Sequence, residues 1–274
     1  MYTYKLKSLG LIYIIIILIA FGGIAYAGIG AHPTVTEVIV PPDKITKGTI
    51  KIANGGTEAV QVIVQPEDWL KRRTGESTFP VEEWLTVTPA EFTVEPVSIK
   101  EVEYTIKPPR GAKGELNAMV FFATAAETQT GLDVTSRFGV SIYAAIEGTI
   151  DLECDINSVK VRRNIIEKED GGTIDRGMVF TINVENKGNV HIRPAGMITV
   201  NDQYGNNFDI EIEKGFPVYP GSSLNYAIIW DETDLLAGYY EATITLDYGN
   251  IYNIDEVFEK TIDFSIDVEG NVSY

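Results

Sequence analysis

Cysteine, histidine and basic charge are the scarce things in this chain. Cys154 is the only cysteine among 274 residues. An internal disulfide is therefore excluded, and any fold must rest on its apolar core. Cys154 lies between Leu152 and Ile156 on one face of an expected strand, which makes it a buried thiol. Two histidines, His32 and His191, are the whole stock. A zinc site or a catalytic triad needs convergent His, Cys or carboxylate groups, and neither histidine has another nearby. The sequence contains no Gly-x-Ser-x-Gly elbow, HExxH, CxxC or Gly-rich phosphate loop. These absences point to a chain with no catalytic residues, no metal and no cofactor. The 22 basic residues are outnumbered by 39 acidic ones, for a net charge of −17. Nucleic acid and anionic lipid surfaces call for basic patches, so both are excluded as partners.

The start of the chain reads as an export signal. Lys5 and Lys7 precede an apolar stretch from Leu9 to Phe21, and Ala25-Tyr26-Ala27 supplies a small-x-small cleavage pattern. Cleavage after Ala27 removes two lysines and takes the charge from −17 to −19. The alternative is an uncleaved anchor, since the apolar run to Ile29 is long enough to span a bilayer. That would be the chain's only membrane contact.

Beyond residue 27 no helical period is sustained over ten residues. Period two dominates instead. Tyr240, Ala242, Ile244, Leu246 and Tyr248 alternate with polar residues. So do Met178, Phe180, Ile182 and Val184; Ile262, Phe264, Ile266 and Val268; Val60, Val62 and Val64; and Val102, Tyr104 and Ile106. Each run is a half-buried strand, and Gly, Pro, Asn and Asp mark the turns between them. Many short strands with regular turns predict an all-β fold of immunoglobulin-like sandwiches. The pattern also repeats. Ile50-Lys51-Ile52 before Asn54-Gly55-Gly56 is matched by Ile182-Asn183-Val184 before Asn186-Lys187-Gly188 and a strand from Val190. Gly114-Glu115-Leu116-Asn117-Ala118 is matched 124 residues later by Gly238-Tyr239-Tyr240-Glu241-Ala242. That spacing suits two copies of one sandwich. The expected organisation is a signal peptide over 1–27, one sandwich over 28–147 and a second over 148–274, joined by a tight elbow near Ala145.

Candidate binding features are few. Trp69, Trp84 and Trp230 with fourteen tyrosines read either as a glycan-stacking platform or as core. Asp231-Glu232-Thr233-Asp234 reads either as a calcium loop or as a solvated turn. The outermost strands of open sandwiches expose unpaired main-chain groups that a partner strand can join. The expected strand Val134 to Ala144 is the candidate. Phe138, Val140, Ile142 and Ala144 share one face, with Arg137 on the other. That row either completes a partner's core or fills its own.

Several of these features occur in one order: the Asn-Gly turn, Trp69 and Trp84 around a polar loop, Val87-Thr88-Pro89, Phe92-Thr93-Val94-Glu95-Pro96, Gly114-Glu115-Leu116 and Val140-Ser141-Ile142-Tyr143. Over about residues 34 to 147 the chain resembles the periplasmic fimbrial (pilus) chaperones. The resemblance implies an exported, non-enzymatic protein that holds surface or pilus subunits by edge-strand complementation, with Arg137, Phe138, Val140, Ile142 and Ala144 as partner-binding residues. It also implies a basic pair that anchors the subunit's terminal carboxylate. Here the first strand, Thr34 to Val40, has no arginine, and no lysine stands near Ser141. Asn186-Lys187-Gly188-Asn189-Val190-His191-Ile192-Arg193-Pro194, Pro220-Gly221-Ser222 and Gly238-Tyr239-Tyr240 resemble the WxL-interacting proteins of Gram-positive surfaces. That second resemblance implies an adaptor or scaffold binding a surface protein, a cell-wall component or a matrix component.

Overall fold

The computed structural model describes residues 28–68, 79–128 and 131–274. The expected signal peptide and Trp69 lie outside the described residues. The chain is almost wholly β and packs into two compact units. The first comprises 28–36, Asp43–Pro109 and Asn117–Tyr143; the second comprises Glu37–Pro42, Arg110–Leu116 and Ala144–Tyr274.

Two sheets belong to the earlier part of the chain. Strands β1 (Ile29–His32), β3 (Thr46–Asn54), β5 (Leu85–Thr88) and β7 (Ser98–Ile106) form one, in the order β1-β3-β7-β5. The other contains β2 (Val35–Val40), β4 (Val60–Asp68), β6 (Glu91–Val94), β8 (Glu115–Thr128) and β9 (Gly131–Ile146), in the order β2-β9-β8-β4-β6. This order, with the first strand divided between two sheets, is that of an immunoglobulin-like sandwich. Ile50, Ile52, Val62, Val102, Ile106 and Phe122 are fully buried between the sheets. Trp84 closes a one-turn α-helix, α1 (Val81–Trp84). Its indole is buried at 3% exposure.

The second unit repeats the plan. Strands β10 (Cys154–Glu167), β11 (Thr173–Asn186) and β14 (Ser222–Trp230) form one sheet in that spatial order. Strands β12 (Ala195–Asp202), β13 (Asn207–Ile212), β15 (Gly238–Asp247), β16 (Val257–Ile266) and β17 (Val272–Ser273) form the other, in the order β13-β12-β15-β16-β17. The alternation in β15 is realised in full, since Tyr240, Ala242, Ile244, Leu246 and Tyr248 are all buried. Phe180 packs edge-on against Phe264 at 6.1 Å and tilted against Trp230 at 6.2 Å. Trp230 is therefore core, at 4% exposure. Each such large side chain contributes about 1.5–3 kcal/mol by leaving water. Cys154 is buried, and burial first of all pushes its thiol up to about 12, which leaves it inert as a nucleophile.

Two expectations need correction. Val268 does not continue the β16 row. It is 93% exposed, because Asp267 accepts from the N–H groups of Glu269 and Asn271 and turns the chain. The strand expected from Val190 begins only at Ala195. Pro194 has no N–H to give a ladder, and residues 190–194 hold a single bridge, Ile192 to Val218.

The repeated Asn-Gly turns are the same device twice. Asn54, 3% exposed, donates its amide to the carbonyls of Glu58 (2.7 Å) and Val94 (3.1 Å) and accepts from Gly56 N–H (2.9 Å). Asn186, fully buried, donates to Val190 (2.8 Å) and Val218 (2.8 Å) and accepts from Gly188 N–H (2.9 Å). Each side chain thus supplies hydrogen bonds that a turn between the two sheets cannot supply from its own backbone. The Gly238 signal works differently. Two residues on, Tyr240 Oη donates to the Leu236 carbonyl at 2.5 Å, a tyrosine corner at the mouth of β15. Tyr240→Phe keeps the ring and loses this bond. It is expected to cost about 1 kcal/mol, read as a lower urea midpoint with an unchanged slope.

Candidate binding edge and a buried polar cluster

Strand β9 has 16 residues, while β2, its neighbour on one side, has six. The register places that short partner. Ser141 N–H donates to the Thr34 carbonyl (3.0 Å), and Glu147 N–H to the Val40 carbonyl (2.9 Å). Strand β2 therefore runs parallel to β9 and covers only its C-terminal end. Strand β8 flanks β9 on the other side. Residues 131–139 consequently have a strand neighbour on one side alone among the described residues. Main-chain groups point to the same side of a strand at every second residue. Since the Ser141 N–H faces β2, those of Gly139 and Arg137 face the open side.

The expected partner-binding residues divide along this line. Val140, Ile142 and Ala144 have zero exposure, so their side chains fill the protein's own core. The physical reason is pairing: at their level β9 has a neighbour on both sides. Phe138 is half-buried and stacks on Phe122, with ring centroids 5.6 Å apart. Arg137 is exposed, forms an ion pair with Glu67 and lies 3.6 Å over the Phe121 ring. What β9 offers outward is therefore backbone rather than an apolar row.

A second polar constellation lies within the second unit. His191, which precedes β12 and is not in a strand, has a fully buried ring. Its Nδ1 is 2.6 Å from Glu115 Oε2 and its Nε2 is 3.1 Å from Glu37 Oε1. Tyr252 Oη lies 2.9 Å from the same Glu115 oxygen and 2.7 Å from the His191 carbonyl. Arg193 donates from Nε to Glu37 (2.5 Å) and from Nη1 to the Gly215 carbonyl (3.0 Å). Glu115 opens β8, and its side chain is 1% exposed. The glycine before it, at φ +68, is needed there, because a Cβ would stand 2.5 Å from the Asn189 carbonyl oxygen.

Lys214 reaches Glu37 from the exposed margin at 3.6 Å; the charges of the buried members, Glu37, Glu115, His191 and Arg193, balance when His191 is protonated. Burial lowers its pKa, but the hydrogen bonds to Glu115 and Glu37 outweigh this and leave it raised. For Glu37 burial works upward, and the bonds from His191 and Arg193 prevail and hold it down at about 2. Burial, then the Glu115 charge, pushes the Tyr252 phenol far above its ordinary range. A ring with both nitrogens hydrogen-bonded to carboxylates and no solvent contact cannot take a substrate proton. The cluster holds backbone segments together. Glu37 lies on β2, and its carboxylate is paired to the guanidinium of Arg193.

No family model matches this chain, and no curated protein matches it. Among solved structures it is similar to a series of fimbrial chaperones. The class 5 fimbriae chaperone CfaA is 15% identical with a TM-score of 0.44, over 85% of this chain and 98% of that one. The E. coli chaperone DraB is 11% identical with a TM-score of 0.41, over 86% and 98%. The SafB chaperone, in complex with the Salmonella enterica SafA pilin, is 12% identical with a TM-score of 0.40, over 86% and 96%. At such TM-scores the likeness says nothing of this chain's own partner.

Proposed function

We propose that this chain is an exported, non-enzymatic, chaperone-like binding protein that holds a surface or pilus subunit by pairing with the free edge of β9. The observation that carries this reading is the half-covered strand, flanked by β2 only beyond residue 140. An extended segment of a partner gains main-chain hydrogen bonds on such an edge, whatever its sequence. The buried Val140, Ile142 and Ala144 keep the strand rigid behind that edge. Phe138 and Arg137 are the side chains beside it.

Two substitutions at one position test this. Arg137→Ala removes the guanidinium and keeps the N–H. Arg137→Pro removes the N–H that faces the open side, at a place where an edge tolerates proline. Co-expression with exported pilin-type subunits is expected to yield a complex with the parent and with Arg137→Ala. None is expected with Arg137→Pro, while circular dichroism shows that all three are folded. Equal recovery of the complex with the proline variant sinks the proposal.

A further inference from the structure

We propose that a hollow in the second unit, at the end of β12, β15, β16 and β17, receives a lysine- or arginine-bearing segment of a partner protein. The hollow holds about 500 Å³. Its walls include Tyr239 and Tyr274, 73% and 71% exposed. Its floor is the strand surface at Tyr240 and Phe264, whose own rings stack 5.3 Å apart on the core side of the sheet. The two exposed tyrosine rings are suited to a cation, which the ring quadrupole attracts.

The charges agree with that occupant. Glu241 and Asp263 line the hollow and stand directly opposite each other on β15 and β16. Like charges in register repel, and neither carboxylate has an ion-pair or hydrogen-bond partner among the described residues. Lys260, on the same strand as Asp263, is turned away to the Ile156 carbonyl. No Lys, Arg or His lines the hollow. A neighbouring hollow of about 600 Å³ shares Asp202 and Tyr240 and adds Glu232 and Asp234, again with no basic residue. A basic segment would relieve the Glu241–Asp263 repulsion with charge-assisted hydrogen bonds. A neutral sugar would leave it in place. The chain's net charge of −17 steers cations towards the protein.

The test is fluorescence anisotropy of labelled oligolysine with the folded chain. Parent protein is expected to bind it in a saturable, salt-sensitive way. Glu241→Gln with Asp263→Asn should weaken binding at least about tenfold, and Tyr239→Ala should do so to a similar degree. Glu82→Gln with Glu83→Gln removes two exposed charges from the first unit and should change binding by less than about twofold. Tyr239 is exposed enough that its truncation leaves folding intact, so that variant decides the matter even if the double variant melts early. Three results overturn the proposal: no binding of oligolysine, equal weakening by the Glu82/Glu83 pair, or competition from a neutral chito-oligosaccharide at the same tyrosines.

Discussion

Asn186→Ala is expected to lower the stability of the second unit by about 3 kcal/mol, a large part of what a domain of this size possesses. The side chain is fully buried and makes three hydrogen bonds to main chain. Truncation removes the donor to the Val190 carbonyl, and that residue is itself fully buried. The Val218 carbonyl keeps its bond from Ile192 N–H, and Gly188 N–H keeps a longer one to Glu153. The loss is thus one orphaned acceptor, two weakened groups and a polar-sized void. Asn186→Asp should be at least as damaging. At neutral pH a carboxylate cannot donate to the two carbonyls and is itself uncompensated there. Asn54→Ala should act similarly on the first unit. Urea unfolding followed by tryptophan fluorescence checks this, and a shift for Asn186→Ala under about 0.5 kcal/mol contradicts the role assigned to the turn.

Glu115→Gln is the second large effect, and it depends on pH. Removing Glu115 takes the nearer of two carboxylates from the buried His191 and leaves it only Glu37, at 3.1 Å, a loss expected to cost about 3 kcal/mol. His191 has a folded-state pKa above its ordinary 6.5. The stability it contributes is therefore complete below pH 6.5 and is lost as pH rises through the raised value. Glu37 runs the other way. Its pKa falls from 4.5 to about 2, so its contribution is complete above 4.5 and is lost as pH falls towards 2. The cluster is accordingly most stabilising between about pH 4.5 and 6.5. Urea midpoints of the parent should decline from about pH 6.5 upward, and the gap between parent and Glu115→Gln should narrow over the same range. Parallel curves for the two proteins would show that His191 is not charged in the folded state.

These two sites differ in how visible they are in the sequence. Asn186 is signalled by its repeat, since the same Asn-x-Gly follows the same alternating strand as at Asn54. Local chemistry makes that turn, and local chemistry is written in adjacent residues. The His191 cluster has no such signal. Glu37 lies 154 residues from His191 and Glu115 lies 76 away, and among 39 carboxylates nothing distinguishes these two. Only the packing of β2, the head of β8 and the segment before β12 brings them to one ring.

Strand β9 divides the same way within one element. Its alternation marks Phe138, Val140, Ile142 and Ala144 as one face, and that is correct as periodicity. Whether the face meets a partner or its own core depends on what lies beside the strand. The six residues of β2 decide this by covering the C-terminal end and stopping short of residue 140. The amino-acid order by itself determined the all-β class, the strand alternation and the paired Asn-Gly turns, because side-chain period and turn chemistry act over a few neighbouring residues. Tertiary structure alone decided where β9 is left open, which carboxylates charge His191, and that Tyr239 and Tyr274 line one acidic hollow. Each of those depends on strand order and register, which join residues that the sequence keeps far apart.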